Sequence, residues 1–158
     1  MAKVQAAAPD VEQQDIDEAR AFNVQLEALI ATQPLVYTRP PEDSRQVRRE
    51  GKGIFPAPVF LAEAKDIEIA GRGGPIKVRV IRPDHAPAGI YLHLHGGGWT
   101  LGAHDLQDAA LKLLANETGL CAASIDYRLA PEHPYPAAPD DCEDAVLHLL
   151  EHGPELLN

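Results

Sequence analysis

The sequence predicts an α/β fold: a sheet of about four strands with helices on its faces, preceded by an N-terminal helical segment. Three observations predict it. Ile67 and Ile69, then Ile76, Val78 and Val80, alternate with polar residues on either side of a glycine-rich turn, the period-two signature of a hairpin. Two further apolar runs, one carrying Ile90, Leu92 and Leu94 and one reading LCAASIDY, are each followed by a segment of helical period. The resulting order, hairpin and then strand–helix–strand–helix, is that of a sheet covered by helices. Residues 1–60 show helical and Gly/Pro-rich stretches without strand pattern, so the expected division is 1–60 for N-terminal helices and linker and 61–158 for the sheet.

Residues 1–9 read as a loose end. Asp10 suits a helix cap, with Gln13 as its capping-box partner, and Ile16, Phe22, Leu26, Leu29 and Ile30 follow a helical stripe that closes near Gln33, before Pro34. PPEDSRQVRRE (40–50) reads as a short helix with almost no apolar face, and GKGIFPAPVF as a linker. After the hairpin and the third strand, Leu106, Ala110, Leu113 and Leu114 mark a helix that Gly119 ends in a left-handed stop. The fourth strand follows. RLAPEHPYP is too proline-rich for regular structure. Cys142, Ala145, Val146, Leu149 and Leu150 mark a last helix stopped at Gly153. Asp140, Asp141, Glu143 and Asp144 lie in its opening turns, where negative charge favours the positive end of the helix.

At 158 residues the chain suffices for one core. A net charge of −10 disfavours nucleic acid, which needs a basic footprint. No apolar stretch approaches the roughly 20 residues of a membrane span, and the N-terminus has no apolar signal core. Cytoplasm is the expected location. Cys121 and Cys142 sit in apolar runs and read as buried thiols.

The stretch YLHLHGGGW (91–99) admits three chemistries. A phosphate loop would need a Lys-Ser/Thr pair or G-x-G-x-x-G, and neither is present. A metal site could draw on His93 and His95, which share a strand face, or on His148 and His152 in HLLEH. The latter face reads as polar, and a catalytic zinc wants a third protein ligand. The third chemistry is an oxyanion hole. Acyl transfer passes through a negative tetrahedral oxygen, which a backbone N–H stabilises by about 3 kcal/mol per donor. Consecutive glycines allow the backbone conformations and the close approach this needs. No cofactor is implied.

HGGGW (95–99) together with DYRLAPEHPYPAA (126–138) resembles the hormone-sensitive-lipase-like α/β-hydrolases, the bacterial family IV esterases. The resemblance covers residues 65–152 and implies the N-terminal portion of an α/β-hydrolase sheet, with the helices before it as the start of a cap. It implies oxyanion donors at the Gly97 and Gly98 amides, Gly96 shaping the turn, and His95 supporting the loop. Trp99 would border the substrate pocket or serve as a core tryptophan. Asp126, Tyr127, Arg128 and Glu132 would fix the neighbouring loop. The substrate implied is a small-molecule ester with a short acyl chain.

The departure is the nucleophile. The family's serine sits in G-x-S-x-G, followed by an acid and a histidine. Ser44 and Ser124 are the serines here, and neither has flanking glycines. The expectation is therefore a fragment that holds the oxyanion hole, lacks the triad, and is active only with a C-terminal half as second chain or missing segment. A non-catalytic, partner-dependent binding subunit is the alternative, and a metal-dependent hydrolase a third. Without a fifth strand, the third strand becomes an open edge, and the chain alone is expected to be insoluble, oligomeric or partly folded.

Overall fold

The computed structural model describes residues 12–156, so Asp10, the expected helix cap, lies outside the described residues. The chain forms two units, Met1–Leu35 and Val36–Asn158. In the first, α1 (Gln13–Ala31) begins where the Glu12 N–H donates to the Asp15 carboxylate at 3.2 Å. Gln13–Asp17 and Gln14–Glu18 pairs follow at i, i+4. The Thr32 hydroxyl closes the helix by donating to the Leu29 carbonyl at 2.7 Å. No described residue of α1 is buried, and Phe22 and Ile30 of the expected stripe are exposed.

The second unit runs from a single 3-10 turn (Val36–Thr38) through α2 (Pro41–Arg49), β1 (Lys65–Gly71), β2 (Gly74–Ile81) and β3 (Gly89–Leu94). It continues with α3 (Asp108–Thr118), β4 (Leu120–Asp126) and α4 (Ala137–Leu156). Strand order is β1-β2-β4-β3. The hairpin is antiparallel with Gly71 opposite Gly74, β2 pairs antiparallel with β4, and β3 runs parallel to β4 from Gly89–Leu120 to Leu94–Ile125. This is a mixed sheet of the expected class. Residues 36–60, grouped with the N-terminal helix in the expected division, share a unit with the sheet.

Alternation sorts the strand residues onto two faces. Ile69, Ile76, Val78, Val80, Cys121, Ala123 and Ile125 form the larger core with Ala138 and Ala145 of α4. Ile81 and Ala122 meet Leu111 of α3 on the other face. That second face also buries charge. Arg79 of β2 grips Asp108, the first residue of α3, through bonds of 2.8 and 2.6 Å, and Asp108 accepts the Leu61 N–H at 2.8 Å. An ion pair taken out of water needs such saturation with hydrogen bonds to persist.

Three local expectations change. The core-facing residues of α3 are Asp108, Leu111 and Ala115, while Leu106 precedes the helix and Ala110 and Leu113 face solvent. The Asp108–Arg79 pair sets that rotation. Gly119 does end α3 in the left-handed conformation, at φ 72°. The last helix does not stop at Gly153. It continues to Leu156, with Gly153 buried where a Cβ would press on Ile90 of β3. Ala145, Cys142 and Leu149 do face the core, but Leu150 of the expected apolar stripe is exposed, and His148 and His152, expected on a solvated face, are half-buried.

Candidate active site

β3 ends at Leu94 and delivers the chain into a turn of unusual backbone. Gly97 has φ 133° and Gly98 φ 60°, and Trp99 follows at φ 57°, the left-handed region a bulky side chain rarely enters. A Cβ on Gly97 would run into the Leu101 carbonyl. The turn closes through Leu101 N–H to Gly97 O at 2.9 Å and Thr100 N–H to Gly97 O at 3.2 Å. Trp99 is held in its strained conformation by its own carbonyl, which accepts the Ala130 N–H at 2.8 Å. The chain then doubles back, and Gly102 (φ 94°) packs where any Cβ would meet the His95 ring.

Among the described residues, neither the Gly97 nor the Gly98 N–H donates to a protein acceptor. Both glycines line a cleft of about 210 Å³ with Leu94, His95, Gly96, Trp99, Tyr127 and Cys142. Two amide donors without an acceptor, on residues that carry no side chain, have the chemistry to bind an anionic oxygen. Trp99 borders this cleft and is exposed, so it is not a core tryptophan.

His95 is buried beneath the turn, its ring stacked on Tyr127 with centroids 4.1 Å apart. Its Nδ1 lies 3.0 Å from the Gly96 carbonyl, and the Tyr127 hydroxyl donates to the His95 carbonyl at 2.6 Å. Burial lowers the His95 pKa from its ordinary 6.5, which favours the neutral ring, and burial likewise pushes the Tyr127 phenol up to about 12, keeping it a donor. His93, one strand turn earlier, is also pushed down, by burial and by His95.

The second motif surrounds the same turn, though its residues reach different partners. The Asp126 carboxylate lies 2.9 Å from His104 Nδ1; burial works against its charge, but the His104 contact outweighs this and lowers its pKa. Arg128 grips the buried Asp141 of α4 at 2.8 to 3.1 Å. Glu132 meets Arg45 of α2 in a two-pronged pair at 2.8 and 3.0 Å, which pulls its pKa down to about 2. The acidic turns of α4 are thus arginine acceptors. Asp140, Glu143 and Asp144 all bind Arg72 of the hairpin turn.

Arg45 and Gly102 went unread in the sequence, and His104 stood out there only as a neighbour of a candidate metal pair. The arginine-rich run with no apolar face was the one available signal for Arg45. Ser124 lies buried within β4 and Ser44 half-buried in α2. His148 and His152 stack on each other at 4.4 Å, far along α4 from the turn, and among the described residues no three His, Cys, Asp or Glu side chains are grouped to hold a metal. Cys142 borders the cleft, and burial raises the pKa of both thiols. No described helix is long and apolar enough to cross a membrane.

A family model described as alpha/beta hydrolase fold matches residues 91–157. Among curated proteins, the chain is 36% identical over 156 residues to the carboxylesterase NlhH of Mycobacterium tuberculosis, covering 94% of this chain and 46% of that one. It is 41% identical over 100 residues to the carboxylic ester hydrolase LipN of the same organism, covering 63% and 27% respectively. Among solved structures, a thermostable esterase from Pseudomonas putida superposes with TM-score 0.73 at 30% identity, over 96% of this chain and 46% of that one. A hyperthermophilic esterase from Pyrobaculum calidifontis gives 0.67 at 29%, over 87% and 45%. The chain spans less than half the length of each. The sheet, the matched family model and the likeness to carboxylesterases along nearly the whole chain agree: it carries part of the α/β-hydrolase fold and is similar to the hormone-sensitive-lipase-like esterases of that superfamily.

Proposed function

We propose that the Gly96–Trp99 turn is the oxyanion-stabilising part of a carboxylic-ester hydrolase, and that the chain works together with a C-terminal half supplying serine, acid and histidine. The observation that carries this is the pair of unpartnered amides of Gly97 and Gly98, two residues that line an open cleft. In the reaction a serine hydroxyl, deprotonated by its histidine, attacks the ester carbonyl. The carbonyl oxygen becomes negative and takes hydrogen bonds from the Gly97 and Gly98 N–H groups. The alcohol leaves with the histidine's proton, and water then releases the acid from the serine. Gly96 shapes the turn, His95 and Tyr127 hold it from beneath, and Trp99 contacts the substrate at the rim. Asp126, Arg128 and Glu132 fix the flanking loop. A small ester with a short acyl chain is the proposed substrate. The same proposal places the chain in the cytoplasm, in keeping with its two free thiols.

The test is p-nitrophenyl acetate cleavage by this chain alone and after mixing with a C-terminal half bearing G-x-S-x-G. Cleavage only in the mixture is the expected result, lowered about 100- to 1,000-fold when Gly97 carries a methyl group (Gly97→Ala). Turnover by the chain alone refutes the need for a second half. No turnover in either case favours a binding role.

A further inference from the structure

We infer that Arg45 is the positioning residue of the glycine turn: a single guanidinium on α2 fixes the turn and the second-motif loop to each other. This rests on reading the turn as the charge-stabilising part of the site. Arg45 Nε donates to the Thr100 carbonyl at 2.8 Å, and its Nη2 to the Ala130 carbonyl at 2.8 Å. The same group holds both Glu132 oxygens. Thr100 is one of the two residues, with Leu101, that close the turn onto Gly97 O, and Ala130 is the residue whose N–H holds Trp99 in its left-handed conformation. One planar fork therefore touches the residues behind two of the contacts that hold the turn, Thr100 N–H to Gly97 O and Ala130 N–H to Trp99 O.

α2 has two further arginine anchors besides this side chain. Arg48 bonds the Pro56 carbonyl at 2.7 Å and lies over Phe55, and Arg49 forms a two-pronged pair with Asp105 at 2.9 and 3.0 Å. Arg45 points instead at two backbone carbonyls beside the cleft. Lysine cannot replace it, because an ammonium is a point charge without the fixed fork that reaches acceptors on three residues at once.

Trp99 is the sole tryptophan, so its fluorescence reports on the turn alone. The experiment compares the wild-type chain with Arg45→Ala, Arg45→Lys and Arg48→Ala. It reads acrylamide quenching of Trp99 and mass-spectrometric amide exchange over residues 97–101 and 129–132, with far-UV circular dichroism as the folding control. The expected result is greater quenching and about tenfold faster exchange in both segments for Arg45→Ala. Arg45→Lys restores little of this, and Arg48→Ala behaves as wild type. Unchanged quenching and exchange in Arg45→Ala overturn the inference, as does an equal effect from Arg48→Ala. Should Arg45→Ala not fold, Arg45→Lys decides, and wild-type behaviour there overturns it. None of these readings needs turnover. A loosened turn that leaves ester cleavage unaltered in the two-half mixture counts against the esterase reading alone.

Discussion

Gly96, Gly97 and Gly98 stand side by side, yet the structure ranks them differently. A Cβ at Gly96 or Gly98 would meet open space, whereas one at Gly97 would strike the Leu101 carbonyl. Gly98 still has φ 60°, which costs a side chain about 1 kcal/mol. The expected order of destabilisation on substitution by alanine is Gly97, then Gly98, then Gly96, with Gly97→Ala losing about 3 kcal/mol. Urea midpoints of the three variants check it, and equal losses would refute the ranking. Histidine titration belongs to the same scale. His93 and His95 have pKa values lowered from the ordinary 6.5, chiefly by burial. The unfolded chain therefore binds protons first on acidification, so stability falls as pH drops below 6.5. Asp105 and Asp126, held below 3.8, extend the loss into more acid solution. Unfolding midpoints at three pH values show the slope, and a midpoint that rises on acidification contradicts it.

At the scale of elements, charge does what apolar faces do elsewhere. α2 has no buried residue and is held by the arginines Arg45, Arg48 and Arg49. The start of α4 is held by two arginines of different standing. Asp141 is 1% exposed and has Arg128 as its charged partner, so Arg128→Ala strands a buried carboxylate and is expected to cost about 3 kcal/mol. Arg72 lies at the surface among Asp140, Glu143 and Asp144, where pairs contribute little, so Arg72→Ala is expected to cost much less. Chemical denaturation of both variants measures the difference. A loss in Arg72→Ala equal to that in Arg128→Ala would show that burial of Asp141 is not the deciding term.

For the molecule as a whole, the decisive feature is the edge of the sheet. β3 pairs with β4 on one side and, among the described residues, with no strand on the other. Gly89–Leu94 contains no proline and no Lys, Arg, Asp or Glu, the usual guards of an exposed edge. Leu94 is 46% exposed there. The chain alone is expected to self-associate, and Leu94→Lys to shift it toward monomer. Sedimentation velocity at several concentrations reads this directly, and a compact wild-type monomer would dismiss the edge as a liability.

The sequence by itself determined the strands, their pairing partners in the hairpin, the left-handed stop at Gly119 and the glycine turn after His95. These are local: period-two alternation assigns strand faces, and a glycine run permits positive φ wherever it lies. It also carried the family, through two motifs separated by one helix and one strand. Only the tertiary structure decided what the charged residues do. Arg45 meets Glu132 across 87 positions and Arg72 meets Asp144 across 72, and nothing in the spacing of either pair marks the other partner. The α3 face shows the same limit, since apolar periodicity favoured Leu106, Ala110 and Leu113 while the buried Asp108–Arg79 pair fixed the rotation. Gly153 read as a helix stop because its function depends on Ile90, a neighbour visible only once α4 lies on β3. Patterning along a chain records which side faces inward; which charge waits there is settled by the packing of elements distant in sequence.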